Sequence, residues 1–339
     1  MNLNEVWFVL FVGIIAGYLI LDGFDMGVGM LLLPLARSDL ERRTFLNSIG
    51  PVWDGNEVWL ILGGGVLFAV FPLAYASLFS GLYTAFMLVL LVLILRTVAM
   101  EFRSKEASPR WRSTWDAVFG IASLALAFFL GLAFGNVLSG LPLDSDGNIS
   151  TGLIGLLTPF AILVGLTTVA MFAMQGGIYL LLKTQGELYE RVARTLPRIM
   201  ITFFVLNTLV VVAMVLFHQQ ITARYTSEIW PVIFPAAALI ALFGAWTMVR
   251  RGEAFGAFLC SSATIALLLV SGAVGIFPNL IISTIDQANN LTVYNAASAE
   301  NTLEVALIVA VIGIPFVLLY TTGVYYIFRG KTVVDPHGY

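Results

Sequence analysis

Nine runs of about twenty apolar residues, joined by short polar connectors, leave this 339-residue chain few folds to choose from. Hydrocarbon offers no water to an exposed peptide group, so a chain crosses it as helices or as a closed barrel, and about 20 residues is the length of a helix span. The runs cover roughly 6–35, 50–71, 77–100, 116–138, 153–182, 199–217, 229–249, 255–279 and 303–328. Composition agrees: 59% of residues are hydrophobic and 11% charged, with a mean hydropathy of +0.94, whereas a soluble domain carries about 25% charged residues. The reading is an all-α integral membrane protein, one membrane domain over residues 1–339. The longest connectors, 139–152 and 280–302, have no room for a further domain. The lipid bilayer is the expected surrounding, and no nucleic acid is expected as a partner.

Orientation follows from the basic residues. Arg37, Arg42 and Arg43; Arg96, Arg103, Lys105, Arg110 and Arg112; Lys183, Arg191, Arg194 and Arg198; Arg250 and Arg251; and Arg329 and Lys331 all fall after odd-numbered spans or in the C-terminal tail, if Arg96 is grouped with its span end. Of the seventeen Lys and Arg, Arg224 alone falls on the other side. Positive charge is retained in the cytoplasm, so the N-terminus is expected outside and the C-terminus in the cytoplasm. The first basic residue is Arg37; without a basic n-region the first run is read as a span, not a cleaved signal peptide.

Within these apolar spans stand four carboxylates. Asp22 and Asp25 lie in D-G-F-D-M-G-V-G, and Asp54 and Glu57 in W-D-G-N-E-V-W. In each pair the acids are three residues apart, so a helix turns both to one face. An intramembrane acid costs roughly 2.5–3.5 kcal/mol on insertion scales and is a functional-site hypothesis by default. At 1.5 Å per residue, Asp25 lies about 15–18 Å before Arg37, with Asp22 a turn farther out. Asp54 and Glu57 lie about one and two turns inside the second span. The four are read as a ladder from the cytoplasmic surface towards the midplane, able to carry protons. Arg96 offers a competing role for them, a structural ion pair, and both roles can hold if Arg96 keeps one acid charged while others titrate.

Other features read as structural. His218 stands at the outer end of the sixth span and His337 in the tail, so no two histidines face each other, and the ten methionines and Cys260 are scattered in apolar runs. Haem and metal sites recruit His, Cys or Met; this chain is expected to ligate none. Trp53, Trp111, Trp115, Trp230 and Trp246 lie near span ends, as interface anchors do, while Trp53 and Trp59 also bracket the second acid pair. Asp116, near Lys105, reads as a solvated acid at a helix start, with proton uptake as its other role. The glycine clusters at 23–29, 63–65 and 175–177 would let helices approach closely.

D-G-F-D-M-G-V-G-M-L at 22–31, N-S-I-G-P-V-W-D-G-N-E-V-W-L at 47–60, F-R-S-K at 102–105, W-R-S-T-W-D at 111–116, Q-G-G-I-Y at 175–179, I-F-P at 276–278 and L-L-Y-T at 318–321 resemble subunit II of the cytochrome bd-type quinol oxidases. The resemblance covers essentially the whole chain. It implies nine transmembrane helices arranged as two four-helix bundles plus one peripheral helix, in a prokaryotic plasma membrane. It also implies a heterodimer with a haem-bearing subunit I that holds two b-type haems, one haem d and the quinol site. That complex oxidises quinol and reduces O2 to water with protons from the cytoplasm. The resemblance places Asp25 and Asp54 on the proton path, with Lys105 and Asp116 contributing; Gln replaces Glu57 in some members, and Asp22 alternates with Glu. It allows small accessory subunits and a structural quinone within subunit II. Two alternatives come from other classes: a proton-coupled secondary transporter, which would carry inverted repeats, and a purely structural membrane subunit, which needs no titrating ladder.

Overall fold

The computed structural model describes residues 2–334; His337 lies outside the described residues. The first helix, α1 (Leu3–Leu35), is capped by Asn2, whose side chain accepts from the Glu5 N–H while the Glu5 carboxylate accepts from the Asn2 N–H. This reciprocal box satisfies two otherwise orphaned donors. A short surface helix, α2 (Asp39–Ile49), starts at the Ser38 cap and leads into α3 (Trp53–Val70).

An unbroken second span over 50–71 and a connector to residue 77 are expected from the sequence. Instead the chain bends by 119° after Val70 and re-enters a helix, α4 (Pro72–Gly81). Pro72 has no N–H to continue the ladder and crowds the residue before it; Phe71 accordingly leaves the helical region, at φ −125° and ψ 61°.

The remaining helices are α5 (Tyr83–Arg103), α6 (Pro109–Ser139), α7 (Pro159–Lys183), α8 (Gly186–Phe217), α9 (Gln219–Ser227), α10 (Ile233–Arg251), α11 (Ala254–Ile276) and α12 (Glu300–Ile327). Proline opens α4, α6 and α7, where its missing N–H costs nothing. Gly252, at φ 76°, closes α10 in the left-handed conformation that glycine adopts freely. Among the described residues eight helices are long and apolar enough to cross a membrane, and the bent pair α3–α4 makes a ninth crossing if taken as one span. Two spans begin about two turns or more before the expected residue: α6 at Pro109 rather than 116, and α8 at Gly186 rather than 199. Their first turns are polar and extend the helix beyond its apolar run.

α1 is the hub. It packs on α3, α6, α7, α11 and α12, and its closest approach is to α7. A Cβ built on Gly27 would lie 2.0 Å from the Phe172 carbonyl oxygen, and one on Gly176 would lie 2.4 Å from the Gly27 carbonyl carbon. Two of the glycine clusters noted in the sequence thus meet backbone to backbone. Of the third cluster, Gly63 alone touches a neighbour, Ile15.

At the end of the bundle opposite the basic connectors, the two long connectors interlock. Leu141 N–H donates to the Ile282 carbonyl, Thr284 N–H donates to the Leu141 carbonyl, and β1 (Asn279–Ile281) pairs antiparallel with β2 (Leu291–Thr292). The Trp7 indole donates to the Leu303 carbonyl and ties α12 to the start of α1.

The α1–α7 contact predicts that Gly27→Val forces the two backbones apart, at a cost of at least about 2 kcal/mol. Gly64, with open space around it, should accept alanine. Thermal melting of the purified protein checks both: Gly27→Val should melt several degrees lower and Gly64→Ala should match the parent.

Candidate functional site

Two clusters of acids lie on α1, α2, α3 and α6. The first lies inside the bundle, where α1, α3, α5 and α12 converge. Asp22 and Asp25 are both fully buried on α1, and their three-residue spacing turns them to the same side. Arg96, buried on α5 about 10 Å before the end of that helix, donates from Nη2 to Asp22 Oδ1 at 2.5 Å. Its Nη1 lies 3.8 Å from Glu57 Oε2 on α3. Tyr18, one turn before Asp22, is buried beside the pair. Two carboxylates thus share one guanidinium with Asp25 a turn away, and full ionisation of the three would leave two negative charges uncompensated.

Among the described residues, no cation is in contact with Asp25. Its Oδ2 accepts from Asn56 Nδ2 at 2.7 Å, and Asn56 Oδ1 in turn accepts from the Tyr325 hydroxyl at 2.8 Å. Among the described residues, Asp22 Oδ2, Asp25 Oδ1 and Arg96 Nε and Nη1 are buried without a hydrogen-bond partner. Unpaired polar atoms are expensive in an apolar interior and concentrate where protons are exchanged.

Asp54 does not join this cluster. It occupies the first turn of α3, before the helix enters the packed region, and is exposed. Of the four-rung ladder, Asp22, Asp25 and Glu57 come together, and Asp54 stands outside them at the surface. Trp53 and Trp59 are buried, with Trp59 against Gly17 of α1. Both pack within the bundle, so Trp53 is not an exposed interface anchor.

The second group is a lattice at the end bearing the basic connectors. Asp116 is not a solvated acid. Because α6 begins at Pro109, Asp116 lies two turns inside the helix and is buried; Arg103 Nε binds its Oδ1 at 2.5 Å and Arg42 Nη1 its Oδ2 at 3.0 Å. Arg103 also reaches Asp39 at 2.7 Å, and Arg112 holds the other Asp39 oxygen at 3.1 Å. Arg191 of α8 bridges Glu41 at 2.8 Å and the Leu35 carbonyl at 2.7 Å. Lys105, expected beside Asp116, is exposed in the turn after α5. The lattice pins α2 against α5, α6 and α8. Partial burial would raise the Asp39 and Glu41 carboxyls. The hydrogen bond and charge of Arg103, with Arg112 and Arg43, outweigh it for Asp39; Arg191 and the Arg37 and Ser38 contacts do so for Glu41, and both carboxyls are held below their ordinary values.

Sequence reasoning missed Asn56, Tyr325, Arg103 and Arg42. Asn56 had a signal, being an amide between Asp54 and Glu57 in the same apolar span. The others meet their partners across long separations that no local pattern encodes.

No group of three or more His, Cys, Asp or Glu among the described residues is placed to hold a metal. His218 lies against Phe160, with ring centroids 4.2 Å apart. A cavity of about 600 Å³ opens between α1, α6, α7, α8, α9 and α11; its lining is apolar except for groups such as Thr167, Asn207, Gln219 and Tyr225.

Residues 3–328 match the family model described as cytochrome bd terminal oxidase subunit II. The chain is 36% identical to cytochrome bd-I ubiquinol oxidase subunit 2 of Escherichia coli (strain K12), covering 97% of this chain and 95% of that protein. It is also 36% identical to cytochrome bd ubiquinol oxidase subunit 2 of Bacillus subtilis (strain 168), covering 97% of each. Its fold matches a chain of the bd oxidase from Geobacillus thermodenitrificans with a TM-score of 0.81, at 15% identity, over 97% of this chain and 99% of that one.

Two outcomes follow from the lattice. Because the folded-state carboxyls of Asp39 and Glu41 are depressed, their contribution is full above their unfolded values of about 4 and is lost as pH falls through the lower folded values. Protection of the α2 amides, corrected for the intrinsic exchange rate, should therefore fall as pH drops below about 4, and Asp39→Asn should lower it at neutral pH. Arg103→Leu should be harsher: it strips the main cation from buried Asp116, at a cost of about 3–5 kcal/mol, and thermal melting should register it.

Proposed function

The chain belongs to the cytochrome bd terminal oxidase subunit II family, and from that premise we propose that its part in the quinol oxidase is to bring cytoplasmic protons through Asp54, Glu57, Asp25 and Asp22 towards the site of oxygen reduction. It is a multi-pass membrane protein of a quinol oxidase complex, and membership of this family displaces the transporter alternative. The observation that carries the relay reading is Asp25, fully buried, bonded to an amide rather than a cation, one helical turn from an acid that does own a cation.

The roles divide by charge compensation. Asp22 is held by Arg96 at 2.5 Å and has the strongest claim on that guanidinium. Asp25 and Glu57 have weaker claims on the same guanidinium and exchange protons around it. Asp54, exposed at the first turn of α3, meets bulk protons first, and Lys105, exposed at the same end, adds a mobile positive charge. Asp116, which the resemblance also assigns to the path, is clamped by two guanidinium groups; it anchors the uptake face rather than passing protons. The structural-subunit alternative therefore survives in part, for Arg96, Asp22 and Asp116.

The haems implied by the family, two b-type and one d-type, supply electron transfer and O2 chemistry from a haem-bearing subunit I. His218 packs on Phe160, far in sequence from the acids, and the residues here do not fit axial ligation of a haem. The structural quinone fits better: the cavity between α1, α6, α7, α8 and α11 would take an isoprenoid tail, with Asn207, Gln219 and Tyr225 as polar groups for the ring. Nine spans, two four-helix bundles plus one helix and a cytoplasmic C-terminus complete the reading, with the whole chain as one membrane domain. α12, which buries Leu303 but is otherwise largely open, awaits lipid, subunit I or an accessory subunit.

The test measures haem content and quinol-driven oxygen consumption on the same preparation of the assembled oxidase. Asp25→Asn and Asp54→Asn should keep haem and lose at least about tenfold in turnover, with Glu57→Gln milder. Asp22→Asn and Arg96→Leu should lose haem, since each leaves a buried charge without its partner. Normal turnover in both Asp25→Asn and Asp54→Asn overturns the relay. A reporter at the C-terminus should read cytoplasmic and one within 139–152 external.

A further inference from the structure

Asn56 sits between two groups that the relay does not otherwise connect. It is 1% exposed on α3. One edge of its amide faces α1: Nδ2 donates to Asp25 Oδ2 at 2.7 Å and lies 3.4 Å from the Leu21 carbonyl. The other edge faces α12, where the half-buried Tyr325 hydroxyl donates to Oδ1 at 2.8 Å. Tyr325 is itself held by aromatic packing. Its ring meets Phe24 edge-on at 6.4 Å, and Phe24, the residue before Asp25, stacks on Tyr179 at 4.0 Å. A span that otherwise buries little of itself against this chain thus delivers one hydroxyl group to the amide that touches the central acid.

An amide has one donating and one accepting edge, and which edge meets a carboxylic acid selects its charge state. The N–H edge stabilises the carboxylate; the carbonyl edge accepts from the protonated acid and stabilises that form instead. A donor at the far end of Asn56 favours the orientation in which its carbonyl points to Tyr325 and its N–H to Asp25. We propose that Tyr325, acting through Asn56, is a positioning residue for Asp25: it keeps the N–H edge of the amide against the carboxylate and so sets the pH range over which Asp25 passes protons. The inference rests on the relay reading above.

The charged and titratable groups around Asp25 are Asp22 on its own helix, Glu57 on α3, Arg96 on α5, Tyr179 on α7 and Tyr325 on α12. α11 brings no acid or base except Cys260. On α2, α6 and α8, Glu41, Asp116 and Arg191 are engaged in the lattice at the helix ends. The Asn56–Tyr325 pair is therefore the neutral contact that can be altered without changing the charge around Asp25.

The experiment records the pH profile of quinol-driven oxygen consumption by the assembled oxidase, with haem content measured on each preparation. Tyr325→Phe removes one hydroxyl and keeps the ring against Phe24. The N–H edge is then held against Asp25 by the Leu21 carbonyl alone, so the alkaline fall-off should move up by about half a pH unit. Asn56→Leu removes the donor itself at similar volume and should move it farther the same way, by about one unit. Tyr320→Phe, an exposed tyrosine on the same helix, should reproduce the parent profile. An unchanged profile in Tyr325→Phe with full haem overturns the inference. Should Tyr325→Phe lose haem, Asn56→Leu decides on the same terms. Asp25→Asn separates the two levels: parental turnover there defeats the relay, whereas slow turnover there with a parental Tyr325→Phe profile defeats only the positioning role.

Discussion

A guanidinium buried in an apolar helical bundle cannot shed its charge, and most of the architecture around Arg96 answers that one constraint. The group stays protonated at any accessible pH, so its compensation has to come from neighbouring helices. Asp22 supplies it at 2.5 Å and Glu57 at 3.8 Å, which draws α1, α3 and α5 to a common depth. Such a pair earns little net stability, since a well-packed apolar replacement is often as stable. What it does provide is register: with Asp22 fixed against Arg96, the helical repeat places Asp25 one turn on, buried and without a cation of its own.

The second determinant is close packing. Lipid tails are as apolar as leucine side chains, so helices in a bilayer associate through contact area and small residues rather than through the hydrophobic effect. Gly27 and Gly176 let α1 and α7 touch backbone to backbone. This approach brings Tyr179 onto Phe24 and walls off one side of Asp25. On the other side α3 contributes Asn56. The acid is therefore enclosed by an aromatic stack and an amide, a surrounding whose polarity depends on where its hydrogen bonds point.

The two ion-pair systems do different work. Around Asp116 every carboxylate has a guanidinium within 2.8 Å, and α2 is tied to three other helices through Asp39, Glu41, Arg103 and Arg191. With four guanidinium groups for three carboxylates, that lattice leaves no acid without a cation and suits a fixed surface. Around Arg96 the carboxylates outnumber the cation, and several polar atoms have no partner among the described residues. An uncompensated cluster of this kind is poorly suited to holding a fold together and well suited to exchanging protons.

Much of this was determined by the sequence alone. The apolar runs located eight helices of membrane-crossing length, because backbone hydrogen bonding leaves no alternative in hydrocarbon. The glycine clusters marked where helices could meet, and the three-residue spacing of Asp22 and Asp25 put both on one face because the helical repeat is a local property. The bend at Phe71–Pro72 is a correction to the unbroken span expected there, although proline is the residue that causes it. The tertiary structure decided the rest. It buried Asp116 where a helix-start acid reads as solvated, because Arg103 and Arg42 arrive from other helices. It left Asp54 outside the cluster that Asp22, Asp25 and Glu57 form with Arg96. It brought Tyr325 to Asn56 across 269 residues. Each of these outcomes depends on which partner a charge or an amide meets, and spacing along one helix carries no information about the groups that another helix presents.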